Sequence, residues 1–136
     1  MKKRLLYLIL PVITLILEIL PYGAVCNFAN PEGAPFRETF SYFDLTPFGY
    51  ANFAPFLTAL TTCAILVLLS TYAFTGKYRT ISTAKSLLCI GTVLSLCPLL
   101  LGVSFFSVFG ALISLSFATE SLLLLLACKI SNESST

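Results

Sequence analysis

Histidine and tryptophan are absent from this 136-residue sequence, methionine occurs once, and charged residues make up only 10% of it. Without histidine, and with no CxxC spacing among Cys26, Cys63, Cys89, Cys97 and Cys128, the usual zinc, haem-attachment and thioredoxin-like sites are excluded. Neither a metal nor another cofactor is expected. Eight basic residues against six acidic ones leave a net charge of +2, and they form no basic stripe interleaved with aromatics. A nucleic-acid partner therefore has no electrostatic footprint. No aspartate pair within an apolar segment and no serine with a plausible base stands out, which makes an enzyme the least favoured class.

What the chain has in abundance is apolar surface: 57% of its residues are hydrophobic, and the mean hydropathy is +0.95. A water-soluble fold has no means of hiding so much of it. Four nearly charge-free stretches, residues 5 to 25, 52 to 74, 86 to 103 and 107 to 128, are each long enough to cross a hydrocarbon core of about 30 Å. The expected fold is an all-α membrane protein, a single domain built as a four-transmembrane-helix bundle. Residues 26 to 51 form a long first loop, residues 75 to 85 a short basic one, and residues 129 to 136 a polar tail. Pro11 removes a backbone donor inside the first stretch and predicts a kink there.

Basic residues set the orientation. Lys2, Lys3, Arg4, Lys77, Arg79, Lys85 and Lys129 fall on the side shared by both termini and the 75 to 85 loop, and Arg37 alone falls on the other. Both termini are expected in the cytoplasm, in a multi-pass protein of the plasma membrane whose long loop lies outside. A basic start before an apolar run also suits a cleaved signal peptide. Glu18 interrupts that run, however, and the run exceeds an ordinary signal core, so a retained first span is the preferred reading. Cys26 is not expected to form an intrachain disulfide, and the cysteines within the apolar stretches read as small hydrophobes. The basic 75 to 85 loop reads as a topology determinant attracted to anionic lipid headgroups.

Two acids lie inside the apolar stretches without a basic residue at matching depth. Glu18 is about 21 Å from the inner boundary and Glu120 about 13 Å, so less than about 10 Å of depth separates them. An intramembrane carboxyl is a candidate functional group because burying its charge is costly. Proton or cation binding is the chemistry it offers. The plainer alternative is interhelical glue, with Thr14, Ser116 and Thr119 as hydrogen-bond partners. Gly110, Ser114 and Ala118 form a small-residue series on one face of the last stretch, suited to close helix packing, to a partner helix or to self-association.

The first loop is unusually aromatic. Residues 36 to 56 read FRETFSYFDLTPFGYANFAPF, and Phe28 leads into them. A disordered linker would be poor in such residues, so the loop is expected to fold onto the mouth of the bundle or to lie in the membrane interface. Asp44 and Thr46 before Pro47 predict a capped short helix, and Asn52 is a candidate cap for the second span. Arg37, Tyr42, Phe43, Asp44, Phe48 and Tyr50 are the candidate recognition residues of this platform.

The stretch YFDLTPFGYANFAPFLTA, residues 42 to 59, with the lysine-rich start and four spans, resembles uncharacterised small four-span bacterial membrane proteins. That resemblance implies a bacterial cytoplasmic membrane and no particular chemistry. The position of Glu18 is similar to the first-span glutamate of small multidrug-resistance transporters, whose loops are short where this first loop is long. The loop lengths resemble a claudin-like arrangement, but that family's tryptophan and paired loop cysteines are missing. Two functions follow as expectations. One is a non-enzymatic accessory or interaction subunit presenting the aromatic loop and a helix face to another membrane protein or to a second copy of itself. The other is a small oligomeric proton- or cation-coupled transporter using Glu120 and Glu18.

Overall fold

Proline decides where the first helix stops. The chain opens with a short helix α1 (Lys2–Leu5), a 3₁₀ turn (Leu6–Leu8) and helix α2 (Ile9–Ile19). Pro11 cannot donate to the carbonyl one turn back, and the tighter 3₁₀ turn sits just before it. Leu20 is extended, with φ −65° and ψ 141°, the conformation favoured ahead of a proline. The helix expected over residues 5 to 25 therefore ends at Ile19. The computed structural model describes residues 2 to 31, 33 to 49 and 52 to 133, with side chains over residues 4 to 126 of these ranges.

Beyond Pro21 the chain turns into strand β1 (Ala24–Phe28), which pairs antiparallel with β2 (Phe36–Phe40) in a register running from Ala24↔Phe40 to Phe28↔Phe36. This hairpin departs from the expected all-α fold. Its turn region, residues 29 to 35, is rich in Asn, Pro and Gly, and the flanking strands carry the aromatic residues that favour extended chain. Helix α3 (Leu45–Gly49) follows, with the Thr46 N–H donating to Asp44 Oδ1 at 2.8 Å as the predicted cap requires.

Helix α4 (Ala54–Thr75) carries Pro55 in its first turn, where the missing N–H costs nothing. It has no side-chain cap: the N-cap position falls on Phe53, and Asn52, one residue earlier, donates from its Nδ2 to the Val25 carbonyl at 3.1 Å while its Oδ1 is buried without a partner. Gly76, at φ 68°, ends α4 in the left-handed conformation, and its N–H donates to the Tyr72 carbonyl at 2.8 Å. Helix α5 (Tyr78–Leu96) starts two residues later, so most of the predicted 75 to 85 loop is helical. Residues 78 to 85 contain neither Gly nor Pro to prevent it. After Cys97, helix α6 (Pro98–Leu101) and a 3₁₀ turn (Val103–Phe105) lead into α7 (Val108–Glu133), which extends into the predicted polar tail.

The chain is 73% helical. Three helices, Ala54–Thr75, Tyr78–Leu101 and Val108–Leu126, are long and apolar enough to cross a membrane, and Leu6–Ile19 is a shorter apolar helix. Helix α5 packs against both α4 and α7, and α2 lies against α7 and α4. Ile65, Leu69, Leu88, Ile113, Phe117 and Leu124 fill the interior, while Leu100, Val108 and Val67 are 86%, 76% and 65% exposed. An exterior as apolar as the core suits hydrocarbon as the surrounding solvent.

At Gly91 the Phe117 ring of α7 packs directly on the α5 backbone, since a Cβ there would overlap it. Gly91→Leu is therefore expected to destabilise the bundle by about 1–3 kcal/mol through overpacking. Thermal unfolding in detergent should show a lowered midpoint. Gly49→Ala, whose Cβ would meet nothing within 4 Å, should leave that midpoint unchanged.

Candidate functional site

The interior of the bundle is not uniformly apolar. Glu18, next to the last residue of α2, is fully buried, and the Thr62 hydroxyl of α4 donates to its Oε1 at 2.7 Å. Thr62 also lies 3.3 Å from the Thr58 carbonyl, so it divides its donor between its own helix and the carboxyl. The second carboxyl oxygen, Oε2, is buried with no hydrogen-bond partner. Glu120 is 4% exposed on α7, and its Oε1 is likewise buried and unpartnered, as is the hydroxyl of the adjacent Ser121. Both predicted acids thus face inward. Among the described residues no hydrogen bond joins them.

The partners expected from the sequence serve other carbonyls. Thr14 donates to Leu10, Ser116 to Leu112 and Thr119 to Leu115, each one turn back on its own helix. Thr62 was the residue to look for instead. Thr58 and Thr62 are one turn apart, and a polar pair at that spacing inside an apolar helix marks an inward-facing stripe.

Above Glu18 the hairpin closes the bundle. The Tyr42 N–H donates to the Glu18 carbonyl at 2.8 Å, and the Tyr42 ring packs where a Cβ on Gly23 would lie 2.8 Å from it. Its hydroxyl comes within 3.3 Å of the Cβ position of Gly110. Two glycines therefore make room for one buried tyrosine, whose hydroxyl burial makes harder to ionise. The Ser107 hydroxyl donates to the Gly23 carbonyl at 2.6 Å and accepts from the Gly110 N–H at 2.8 Å. With the Asn52 contact to Val25, these bonds hold β1 so that Ala24, Val25 and Cys26 are buried. Cys26 is a free thiol made harder to ionise by burial and then by the charges of Asp44 and Glu38.

The candidate recognition residues of the loop divide into structural and exposed ones. Tyr42 is a plug, Phe43 packs on the core, and Phe48 meets Phe53 and Phe56 edge-on at 4.8 and 5.6 Å. Asp44 is a cap whose carboxyl the Thr46 N–H holds below the usual carboxylate range. Arg37 remains exposed, with one guanidinium nitrogen donating to the Phe106 carbonyl at 3.2 Å. Tyr50 lies outside the described residues. Strand β1 faces the helices, while Phe36, Arg37, Glu38 and Thr39 of β2 are exposed.

The small-residue series also divides. Gly110 and Ser114 point inward, and the Ser114 hydroxyl reaches the carbonyls of Ser95 at 3.2 Å and Gly110 at 2.9 Å. Ala118 is exposed and, with Ala111, Ser114 and Leu115, borders a groove of about 310 Å³ between α7 and α5. Among the described residues no group of histidine, cysteine or acidic side chains could hold a metal ion.

Together these features define a helical membrane protein with a polar stripe inside and a β-hairpin lid. No protein-family model matches the chain, and no curated protein or solved structure matches it. Its function must therefore be argued from its own geometry.

The Glu18–Thr62 bond can be isolated energetically. Thr62→Val should destabilise the protein by about 1–3 kcal/mol, because it leaves a buried carboxyl with no donor. Glu18→Met combined with Thr62→Val should recover most of that loss, since both polar partners are then gone. A double-mutant cycle on unfolding midpoints checks this, and strict additivity would exclude the coupling.

Proposed function

We propose that this chain is a non-enzymatic integral membrane protein, an accessory or interaction subunit that displays its hairpin to a protein partner. In this reading it crosses the bacterial cytoplasmic membrane four times, with both termini inside and the hairpin outside. Seven basic residues at one end against Arg37 at the other support the orientation. The continuous helical stretch from residue 2 to residue 19 gives about 27 Å of rise for the first crossing.

The observation that carries the reading is the two-sidedness of the hairpin. Strand β1 is buried against the bundle, whereas β2 is exposed along most of its length and lies at the edge of a two-stranded sheet. An anchored strand with an exposed edge neighbour is a rigid template for a partner's extended segment. Phe36 and the charges of Arg37 and Glu38 add side-chain discrimination. The exposed groove beside Ala118 offers a second surface, for a partner's helix or a second copy.

Photo-crosslinking in cells tests this reading. A photoreactive residue at Phe36 or Glu38 should give one protein adduct, identified by mass spectrometry, while the same group at the lipid-facing Val67 should give none. Absence of an adduct at both strand positions, in inserted protein, would reject it.

A second reading rests on the unpartnered oxygens of Glu18 and Glu120. Carboxyls held without counter-charges inside a membrane bundle can bind a proton or cation and couple it to transport. Proton or cation flux into liposomes that falls on Glu120→Gln, and on Glu18→Gln, is the result expected of such a transporter. A folded, inserted protein without flux would remove that reading and leave the first intact.

A further inference from the structure

The basic end of the bundle is built differently from the hairpin end. Gly76 is left-handed, and a Cβ on it would strike the Arg4 guanidinium, so the guanidinium occupies the space beside that turn. The same guanidinium lies 5.5 Å from the centroid of the Tyr72 ring, one turn back on α4. Lys77 follows Gly76 directly and Arg79 lies in the first turn of α5, both exposed. The Arg4 guanidinium thus lies beside a turn whose next residues include the exposed Lys77 and Arg79.

Among the described side chains, no carboxylate answers them. The described acidic side chains Glu18 and Glu120 are buried in the interior, while Glu38 and Asp44 belong to the hairpin end. Among the described residues, Arg4, Lys77 and Arg79 make no ion pair. Beside them Phe74 and Tyr78 are 78% and 64% exposed at the junction of two membrane-length helices. Exposed aromatics at the ends of spanning helices are favoured at headgroup depth. The cations therefore lie where phosphates of the bilayer are found.

We propose that Arg4, Lys77 and Arg79 form a seat for the phosphate headgroup of an anionic phospholipid, with Phe74 and Tyr78 against its acyl region. The planar guanidinium of Arg4, already stacked and positioned, suits a phosphate better than a mobile ammonium would. The flanking lysine and arginine add charge without needing a fixed geometry. This seat depends on α4 and α5 spanning the membrane and is independent of which partner the hairpin recognises.

Native mass spectrometry of the full chain, equilibrated with phosphatidylglycerol and phosphatidylcholine of identical acyl chains, provides the test. The expected result is preferential retention of phosphatidylglycerol. Each charge removed should lower the preference about fivefold, in Arg4→Gln and cumulatively in Lys77→Gln with Arg79→Gln. Lys85→Gln, two turns further along α5, should change it less than twofold. Should Arg4→Gln fail to fold, the double variant at exposed positions decides the matter. Equal retention of the two lipids, or a preference untouched by these variants, would overturn the proposal. Displacement of phosphatidylglycerol by millimolar inorganic phosphate would also overturn it, by identifying a free-anion site instead.

Discussion

The hydrogen bond from the Tyr42 N–H to the Glu18 carbonyl holds the two halves of this architecture together. In a continuing helix that carbonyl would accept from residue 22, but the chain leaves the helix ahead of Pro21, and the Tyr22 N–H turns to Leu20 instead. A carbonyl orphaned at a helix end in an apolar setting must find a donor. It finds one 24 residues further on, counting from residue 18 to residue 42. Satisfying it brings the end of the hairpin back over the bundle and delivers the Tyr42 ring to its seat between Gly23 and Gly110. The short first helix and the lid above it are therefore two results of one proline.

Below that closure, serines and threonines do two kinds of work. Most return their hydroxyl to a carbonyl one turn back, which hides a polar atom without specifying a neighbour. A few reach across: Thr62 to Glu18, Ser107 to Gly23 and Ser114 to Ser95. The second group fixes which helix faces which, information that interchangeable leucines supply poorly where lipid is as apolar as the core. Near Glu18 these cross-links are concentrated at the hairpin end. The basic end is closed by a tight glycine turn and a stacked guanidinium.

Helical character was legible in the sequence wherever a long apolar run met no proline beyond its first turn, as in α4, whose bounds fall close to the predicted stretch, and in α7, which starts close to the predicted point and runs on past its predicted end. The short capped helix at Leu45–Gly49 was legible because Asp44, Thr46 and Pro47 make a local signal. The hairpin was not, since its stability comes from contacts with distant residues Asn52 and Ser107 and its strands are only five residues each. Hydropathy alone also carried the first helix too far, past the point where Leu20 and Pro21 stop it. Of the candidate site, the sequence marked Glu18 and Glu120 as acids within apolar stretches and left open whether they point into the bundle; the structure buries both. Their partners did not follow, because an oxygen chooses among several nearby hydroxyls by tertiary geometry. Tyr42 stood out by residue type as a recognition candidate and the structure uses it for closure, while Asp44 takes the capping role that its place before Thr46 and Pro47 predicted.

The pairing of Glu18 with Thr62 also sets a schedule. Those residues are 44 positions apart, and a ribosome adding about 5–20 residues per second needs about two to nine seconds to make the second after the first. Throughout that interval the acidic side chain of the earliest helix has no native donor, and the carbonyl behind it lacks one until residue 42 has been made. The first helix thus enters its surroundings incomplete, and its settled depth and orientation await chain that has yet to be synthesised.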